Sequence, residues 1–291
     1  MASLSRTLRR MIYGEPTSPR GVRESQFAPP TSWQERTALA LASSDNQLIP
    51  RHMNAGEVRG TSQVMHNGLL VPTDGYYGPE NTELLKANRG VHEPQEERVF
   101  AAVLDHVAPG SFMIELGSYW AFYSSWFLSA VKDSRALLVE PDPACLAVGR
   151  KTLELNGLSD RAEIMQAWVG RFPEPHPAGA LETTVDALSQ RLGHRRIHIL
   201  HSDVQSQETR MLRGCAATLR RGLIDWFFIS THSMHRHAYC KRFLLGHGFV
   251  LVAEADLPES YSYDGLLVFK RRGVPGPERI EVSQRKYPEL V

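Results

Sequence analysis

Residues 115 to 124 read Glu115-Leu116-Gly117-Ser118-Tyr119-Trp120-Ala121-Phe122-Tyr123-Ser124 and follow directly on the apolar run FMIEL (112 to 116). A short apolar run that ends in a carboxylate and turns on a glycine has the form of a strand followed by a βα turn. Five further runs read as strands: ALLVE (136 to 140), AEIMQAWV (162 to 169), IHILHS (197 to 202), IDWFFIS (224 to 230) and FVLVAEA (249 to 255). Between them, 143 to 155, 205 to 221 and 234 to 246 carry helical spacing. Pro143 opens the first of these and Asn156-Gly157 closes it. In the second, Met211, Leu212, Cys215, Ala216 and Leu219 form an apolar stripe. Strands separated by helices need crossover connections, so the sheet is mainly parallel and doubly wound. Gly265 to Lys270 follows 249 to 255 without a helix and is expected to pair antiparallel.

Upstream, the helical spacing of Val99, Phe100, Val103, Leu104 and Val107 predicts a helix over 93 to 108. Residues 44 to 92 are rich in Gly, Asn and His and lack periodicity, which suits a cap or lid over a site. Ser32 is placed to cap a short helix, WQERTALALA. The acid-free start MASLSRTLRRMIYG and the prolines at 16, 19, 29 and 30 suit a basic, extended leader with faint transit-peptide character. The expected organisation is a leader and short helix over 1–43, a cap over 44–92 and an α/β domain over 93–291.

Composition excludes several functions. With 33 basic and 32 acidic residues among 291, the net charge of +1 offers no electrostatic grip on nucleic acid or an acidic membrane. The longest apolar stretches are too short to span a bilayer. Cys145, Cys215 and Cys240 are odd in number and widely spaced, which fits reduced thiols and a cytoplasmic location rather than a disulfide scaffold or zinc ribbon.

In a doubly wound sheet, ligands bind beyond the carboxyl ends of the strands. Gly117 allows close backbone approach there. Glu115 is placed to pair with an ammonium group, and Glu140, 25 residues on, to take both hydroxyls of a ribose. A dinucleotide fingerprint would need glycines where Tyr119 and Ala121 stand, so a nicotinamide oxidoreductase is disfavoured. One acid for an amino group and one for a ribose describe S-adenosylmethionine.

The order of motifs resembles the FkbM-type S-adenosylmethionine-dependent methyltransferases. The residues that carry it are ELGSYWAFYS, HEPQEE (92 to 97), VEPDP (139 to 143), VDAL (185 to 188), HILHSDVQSQE (198 to 208) and FFISTHS (227 to 233). The resemblance spans roughly residues 90 to 270 and implies the class I methyltransferase fold, Rossmann-like, with seven strands and the last antiparallel. It implies that Glu115 binds the methionine amino group, that Gly117, Ser118 and Tyr119 line the amino-acid end, and that Tyr123 or Ser124 approaches the carboxylate. Glu140 would hold the ribose, and Ala167 and Trp168 would flank the adenine. The chain departs from the family where Tyr119 and Ala121 replace the turn's asparagine and last glycine, where His201, Asp203 and Gln205-Ser206 stand for lysine, aspartate and Glu-Gly, and where Ser230-Thr231 replaces an acid before His232.

The catalytic pair is expected to be His232, as base, assisted by Asp203. The plainer alternatives are a capping or surface histidine and a helix N-cap for 205 to 221. His235 and His237 are expected on the solvent side of the next helix, and Arg191 to Arg196 in a solvated loop. From the cap, Tyr76, Tyr77, His92 and Glu93 are expected to close over the substrate. Convergence of His201, Asp203, His232 and Asp225 on a metal is conceivable. Magnesium, which prefers carboxylates and water, is not expected. The expected reaction is methylation of a hydroxyl on a small molecule of the sugar-bearing or polyketide type. The alternatives are N-methylation of an aminosugar or other amine, and a non-catalytic cofactor-binding module. A homodimer is compatible with the pattern; a nucleic-acid or membrane partner is not expected.

Overall fold

The structure, a computed structural model, describes residues 28–73, 75–175 and 181–285; most of the expected leader lies outside that set. Helix α1 (Trp33–Ala42) starts where the sequence places it. The Ser32 hydroxyl accepts from the Glu35 amide at 3.2 Å and the Glu35 carboxylate accepts from the Ser32 amide at 3.3 Å, a reciprocal cap.

The cap is more regular than its composition suggests. A 3₁₀ turn (Ser44–Leu48) leads into a small antiparallel sheet of β1 (Val58–Arg59), β2 (Ser62–Val64) and β3 (Leu70–Pro72), then α2 (Pro79–Ala87). Strands of two or three residues are too short to show alternation, so sequence periodicity could not find them. Nor is the cap loosely attached. Met65, Val71, Leu84 and Leu85 are buried in the same apolar cluster as the following helix. The Asn156 side chain bonds both backbone groups of Leu70, at 2.9 and 2.8 Å.

The remaining elements run α3 (Pro94–Leu104), β4 (Phe112–Leu116), α4 (Phe122–Ala130), β5 (Arg135–Glu140), α5 (Pro143–Leu155), β6 (Ala162–Gln166), β7 (Trp168–Val169), β8 (Glu174–Pro175), β9 (Leu181–Thr183), α6 (Val185–Arg191), β10 (Ile197–Ser202), α7 (Glu208–Arg213), α8 (Ala216–Arg220), β11 (Ile224–Thr231), α9 (Met234–Gly246), β12 (Phe249–Ala255) and β13 (Gly265–Arg271). Seven strands form one sheet in the order β12-β13-β11-β10-β4-β5-β6, and only β13 runs against the rest. This is the doubly wound, mainly parallel, Rossmann-like sheet of seven strands that the sequence indicated. The central strands β4, β5, β10, β11 and β13 are buried on both faces and alternate between two apolar layers, while the edge strands β6 and β12 are partly exposed. Met113, Leu138, Trp226 and Phe228 face α3, α4 and the cap; Ile114, Val139, Phe227 and Ile229 face α6 to α9. The chain order reverses between β4 and β10, so the crevice opens there, between Gly117 and Asp203.

Three expectations need correction. The run 162 to 169 is not one strand: β6 ends at Gln166, and β7 leaves the main sheet to pair with β9. The helix expected over 205 to 221 starts at Glu208, because Gln205 and Ser206 have positive φ, and breaks at Gly214-Cys215. A Cβ at Gly214 would overlap the Gly170 carbonyl, and the Asp186 carboxylate caps the new start by accepting the amides of Ala217 and Thr218 at 2.9 and 2.7 Å. Finally, His237 is buried rather than on the solvent side of α9. Its ring lies 2.8 Å from the Thr231 hydroxyl and 3.1 Å from the Glu254 carboxylate.

Candidate functional site

The crevice opens from the β4–α4 turn. Gly117 has φ +74, and a Cβ there would overlap the Asp203 carbonyl oxygen, so no other residue lets the two strand ends lie this close. The Asp203 amide donates to the Leu116 carbonyl at 2.9 Å, which ties β10's end to β4's. Tyr119 and Ala121 take positive φ (34° and 58°), so the turn keeps a left-handed path although neither position is glycine. The cost of such non-glycine residues is of order 1–3 kcal/mol each.

Beyond the turn lies a cavity of about 900 Å³, of the size that holds a nucleoside-containing ligand. Gly117, Tyr119, Glu140, Gln166, Trp168 and Asp203 are among its walls. Both Glu140 oxygens are oriented by backbone amides, from Asp142 at 3.0 Å and Tyr119 at 3.2 Å. Burial raises its carboxyl above the ordinary carboxylate range, against the pull of those amides. Trp168, half-buried, stands at the far end, while Ala167 is fully buried in the core.

Glu115 is buried under the turn, and its carboxylate accepts the Ser124 amide at 3.0 Å. Burial pushes its pKa up to about 7, although His201 pulls it down. Glu115, Gly117, Ser118, Tyr123 and His201 line a small polar recess beside the main cavity. Ser124 is fully buried, and its amide donates to Glu115 beneath the turn.

His92 and Glu93, expected over the substrate, line the same recess. The His92 ring lies 3.1 Å from Glu93 and 2.6 Å from Glu97. Burial opposes its charge, but the two carboxylates prevail and raise its pKa to about 10. The Tyr123 hydroxyl donates to Glu93 at 3.0 Å, and His201 pairs with Glu96 at 2.8 Å. Tyr76 stacks on Trp120 at 4.3 Å and 11°, and the Tyr77 amide donates to the Tyr119 hydroxyl at 3.3 Å. The cap is thereby fastened to the turn. Tyr76, Tyr77 and Glu93 also line a second pocket with Trp33, Tyr263 and Asp264.

Asp203 and His232 do come together: Nε2 of His232 lies 3.1 Å from Asp203. The N-cap reading of Asp203 fails, because α7 begins five residues later at Glu208 with Gln207 as its cap. Two further carboxylates, not foreseen, complete the cluster. Glu208 lies 2.5 Å from Nδ1 and Asp264 lies 3.3 Å from Nε2. Burial lowers the pKa of His232, but Asp203, Glu208 and Asp264 outweigh it and raise the value to about 11. The three carboxylates therefore favour the protonated ring over the free imidazole. Asp225 lies elsewhere, at the opposite end of β11, paired with Arg196 and Arg271 at 2.6 and 2.8 Å. His201 is engaged with Glu96, so the four-residue metal set is not assembled.

Glu96 and Glu208 stand within HEPQEE and HILHSDVQSQE, so the motifs themselves carry these two acids. Asp264 stands just before β13, with no local pattern to mark it.

No family model and no curated protein matches the chain. Solved structures of similar shape include a precorrin-6y C5,15-methyltransferase from Geobacter metallireducens GS-15 (12% identity, 60% of this chain and 88% of that one, TM-score 0.43). Others are a putative tRNA (m1A22) methyltransferase from Streptococcus pneumoniae (15%, 66% and 72%, 0.42) and a methyltransferase from Geobacter sulfurreducens (19%, 62% and 79%, 0.43). Likenesses this distant say nothing of this chain's substrate or chemistry, which rest on its own residues. Among the described residues, no helix is long and apolar enough to cross a membrane.

Proposed function

We propose that the chain is an S-adenosylmethionine-dependent methyltransferase acting on a hydroxyl of a small molecule. The observation that carries the reading is Glu140: a buried carboxylate on the wall of a nucleoside-sized cavity, its two oxygens already oriented by backbone amides, one strand over from the Gly117 turn. A carboxylate so fixed suits the two hydroxyls of a ribose. Glu115 would take the ammonium group and Trp168 the adenine face. The acceptor would enter from the pocket under the cap, where Tyr76 and Tyr77 meet Asp264.

In the transfer, the acceptor oxygen attacks the sulfonium methyl in line. The O–CH₃ bond forms as the S–CH₃ bond breaks, and the C–S electron pair stays on sulfur as a thioether. The acceptor proton passes to a carboxylate of the cluster, for which Asp203, the most exposed of its acids, is best placed. The protein's main contribution is alignment.

Calorimetric titration tests the reading. S-Adenosylmethionine and S-adenosylhomocysteine are expected to bind saturably and NAD not to bind. Glu140→Ala is expected to weaken both by at least about 100-fold, since two charge-assisted hydrogen bonds contribute roughly 1.5–3 kcal/mol each. Absence of binding to the wild-type chain, or unchanged affinity in the variant, would refute the assignment. Binding without methyl transfer to any hydroxylated or aminated acceptor would favour the non-catalytic module.

A further inference from the structure

We infer that Asp203, His232 and Asp264 form a site for one divalent transition cation, of the manganese or zinc kind, where the nucleoside cavity meets the pocket under the cap. One oxygen or nitrogen from each residue lies within 4.8 Å of the other two. Nε2 of His232 is 3.1 Å from Asp203 Oδ1 and 3.3 Å from Asp264 Oδ1. Metal–ligand bonds of about 2.1 Å set neighbouring donors about 3.0 Å apart at right angles and about 3.4 Å apart in a tetrahedron. Both observed spacings lie between those limits.

The same distances would suit ion pairs, and a second observation separates the two readings. Nε2 of His232 and Oδ1 of Asp264 are buried polar atoms that satisfy no hydrogen-bond geometry, and the His232 side chain is only 7% exposed. Buried polar atoms normally find partners, and these two are directed at the shared space. Behind them, the other ring nitrogen meets Glu208 at 2.5 Å. A metal-bound histidine characteristically gives its second ring N–H to a carboxylate, which fixes the tautomer and leaves the facing nitrogen free to ligate.

Charge points the same way. Asp203, Glu208 and Asp264 are set against Arg236, whose Nε is 3.4 Å from Glu208. With a neutral imidazole and all three carboxyls ionised, a state that the burial of Asp264 opposes, the cluster would carry two uncompensated negative charges, which a divalent cation would balance. Magnesium fits less well, because imidazole is a poor ligand for it and a good one for zinc and its neighbours. The open side of the site faces both cavities, since Asp203 lines one and Asp264 the other. A cation there could take an acceptor oxygen as a further ligand and make its hydroxyl more acidic. The inference does not depend on methyl transfer: a chain that binds the cation but not S-adenosylmethionine would keep this site and lose the reading above.

The test is Mn²⁺ titration of the full chain, followed by the loss of the free-ion electron paramagnetic resonance signal. One Mn²⁺ per chain is expected. Asp264→Asn and His232→Gln are each expected to weaken binding by at least about tenfold. Asp256→Asn, which removes a buried acid outside the cluster, is expected to leave it unchanged. Circular dichroism establishes that each variant is folded. Should a variant not fold, the wild-type complex decides: its pulsed spectrum is expected to show a directly coupled imidazole nitrogen. A wild-type chain that leaves Mn²⁺ free, a folded Asp264→Asn that binds as tightly as wild type, or bound Mn²⁺ without nitrogen coupling would overturn the site.

Discussion

The two sides of the crevice are built differently. On the side proposed for the nucleoside, the β4–α4 turn and the tip of β5 hold the groups through backbone: amides orient Glu140 and Glu115, and Gly117 sets the distance between strands. On the side proposed for the acceptor, side chains hold side chains. His92 lies between Glu93 and Glu97, His201 against Glu96, and His232 among Asp203, Glu208 and Asp264. The first kind of site follows from strand order and short spacing. The second needs residues far apart in sequence, and its charges are coupled, so a change in one shifts its neighbours.

The largest expected effect joins the two sides. Gly117→Ala puts a Cβ into the Asp203 carbonyl and forces alanine to a positive φ. A loss of about 3 kcal/mol or more in urea unfolding is expected, with cofactor and Mn²⁺ binding both impaired. Loss of one alone would mean that the sides are not coupled through this contact.

A pH series separates them. Burial lifts Glu115 from the ordinary 4.5 to about 7, so the folded chain holds its proton more tightly than the unfolded chain does. The stability contribution is therefore present at low pH and falls as pH rises from about 4.5 to about 7. An ammonium ligand needs the ionised form. Cofactor affinity is thus expected to drop toward tenfold per unit below about pH 7, a slope that Glu115→Gln removes. A flat profile would remove Glu115 from the ammonium site.

The smallest expected effect sharpens the acceptor side. Ser32→Ala removes the cap of α1, a cost of about 1 kcal/mol. Trp33 and Arg36 of that helix line the pocket under the cap, where the Arg36 guanidinium lies 4.1 Å from the Tyr263 ring. Acceptor KM is expected to rise a few-fold while cofactor affinity holds. A change in cofactor affinity instead would place α1 on the other side of the crevice.

Much of the nucleoside side could be read from the chain. FMIEL, IHILHS and FVLVAEA match β4, β10 and β12 residue for residue, because each is a short run dominated by apolar residues and bounded by turn residues. The 25 residues between Glu115 and Glu140 are one β-turn-helix-β unit, which fixes where both acids emerge. The cap's short strands and the break at Gly214 were hidden, since each depends on contacts with distant residues rather than on periodicity.

The sequence by itself determined the order of strands and helices, the turn at Gly117 and the two acids beside it, because burial pattern and turn chemistry are local properties. Only the tertiary structure decided what surrounds His232. Asp203 follows β10, Glu208 opens α7, and Asp264 precedes the one antiparallel strand. A histidine read alone is a base with an ordinary pKa; three carboxylates brought together by the fold surround the same ring and set its charge and orientation.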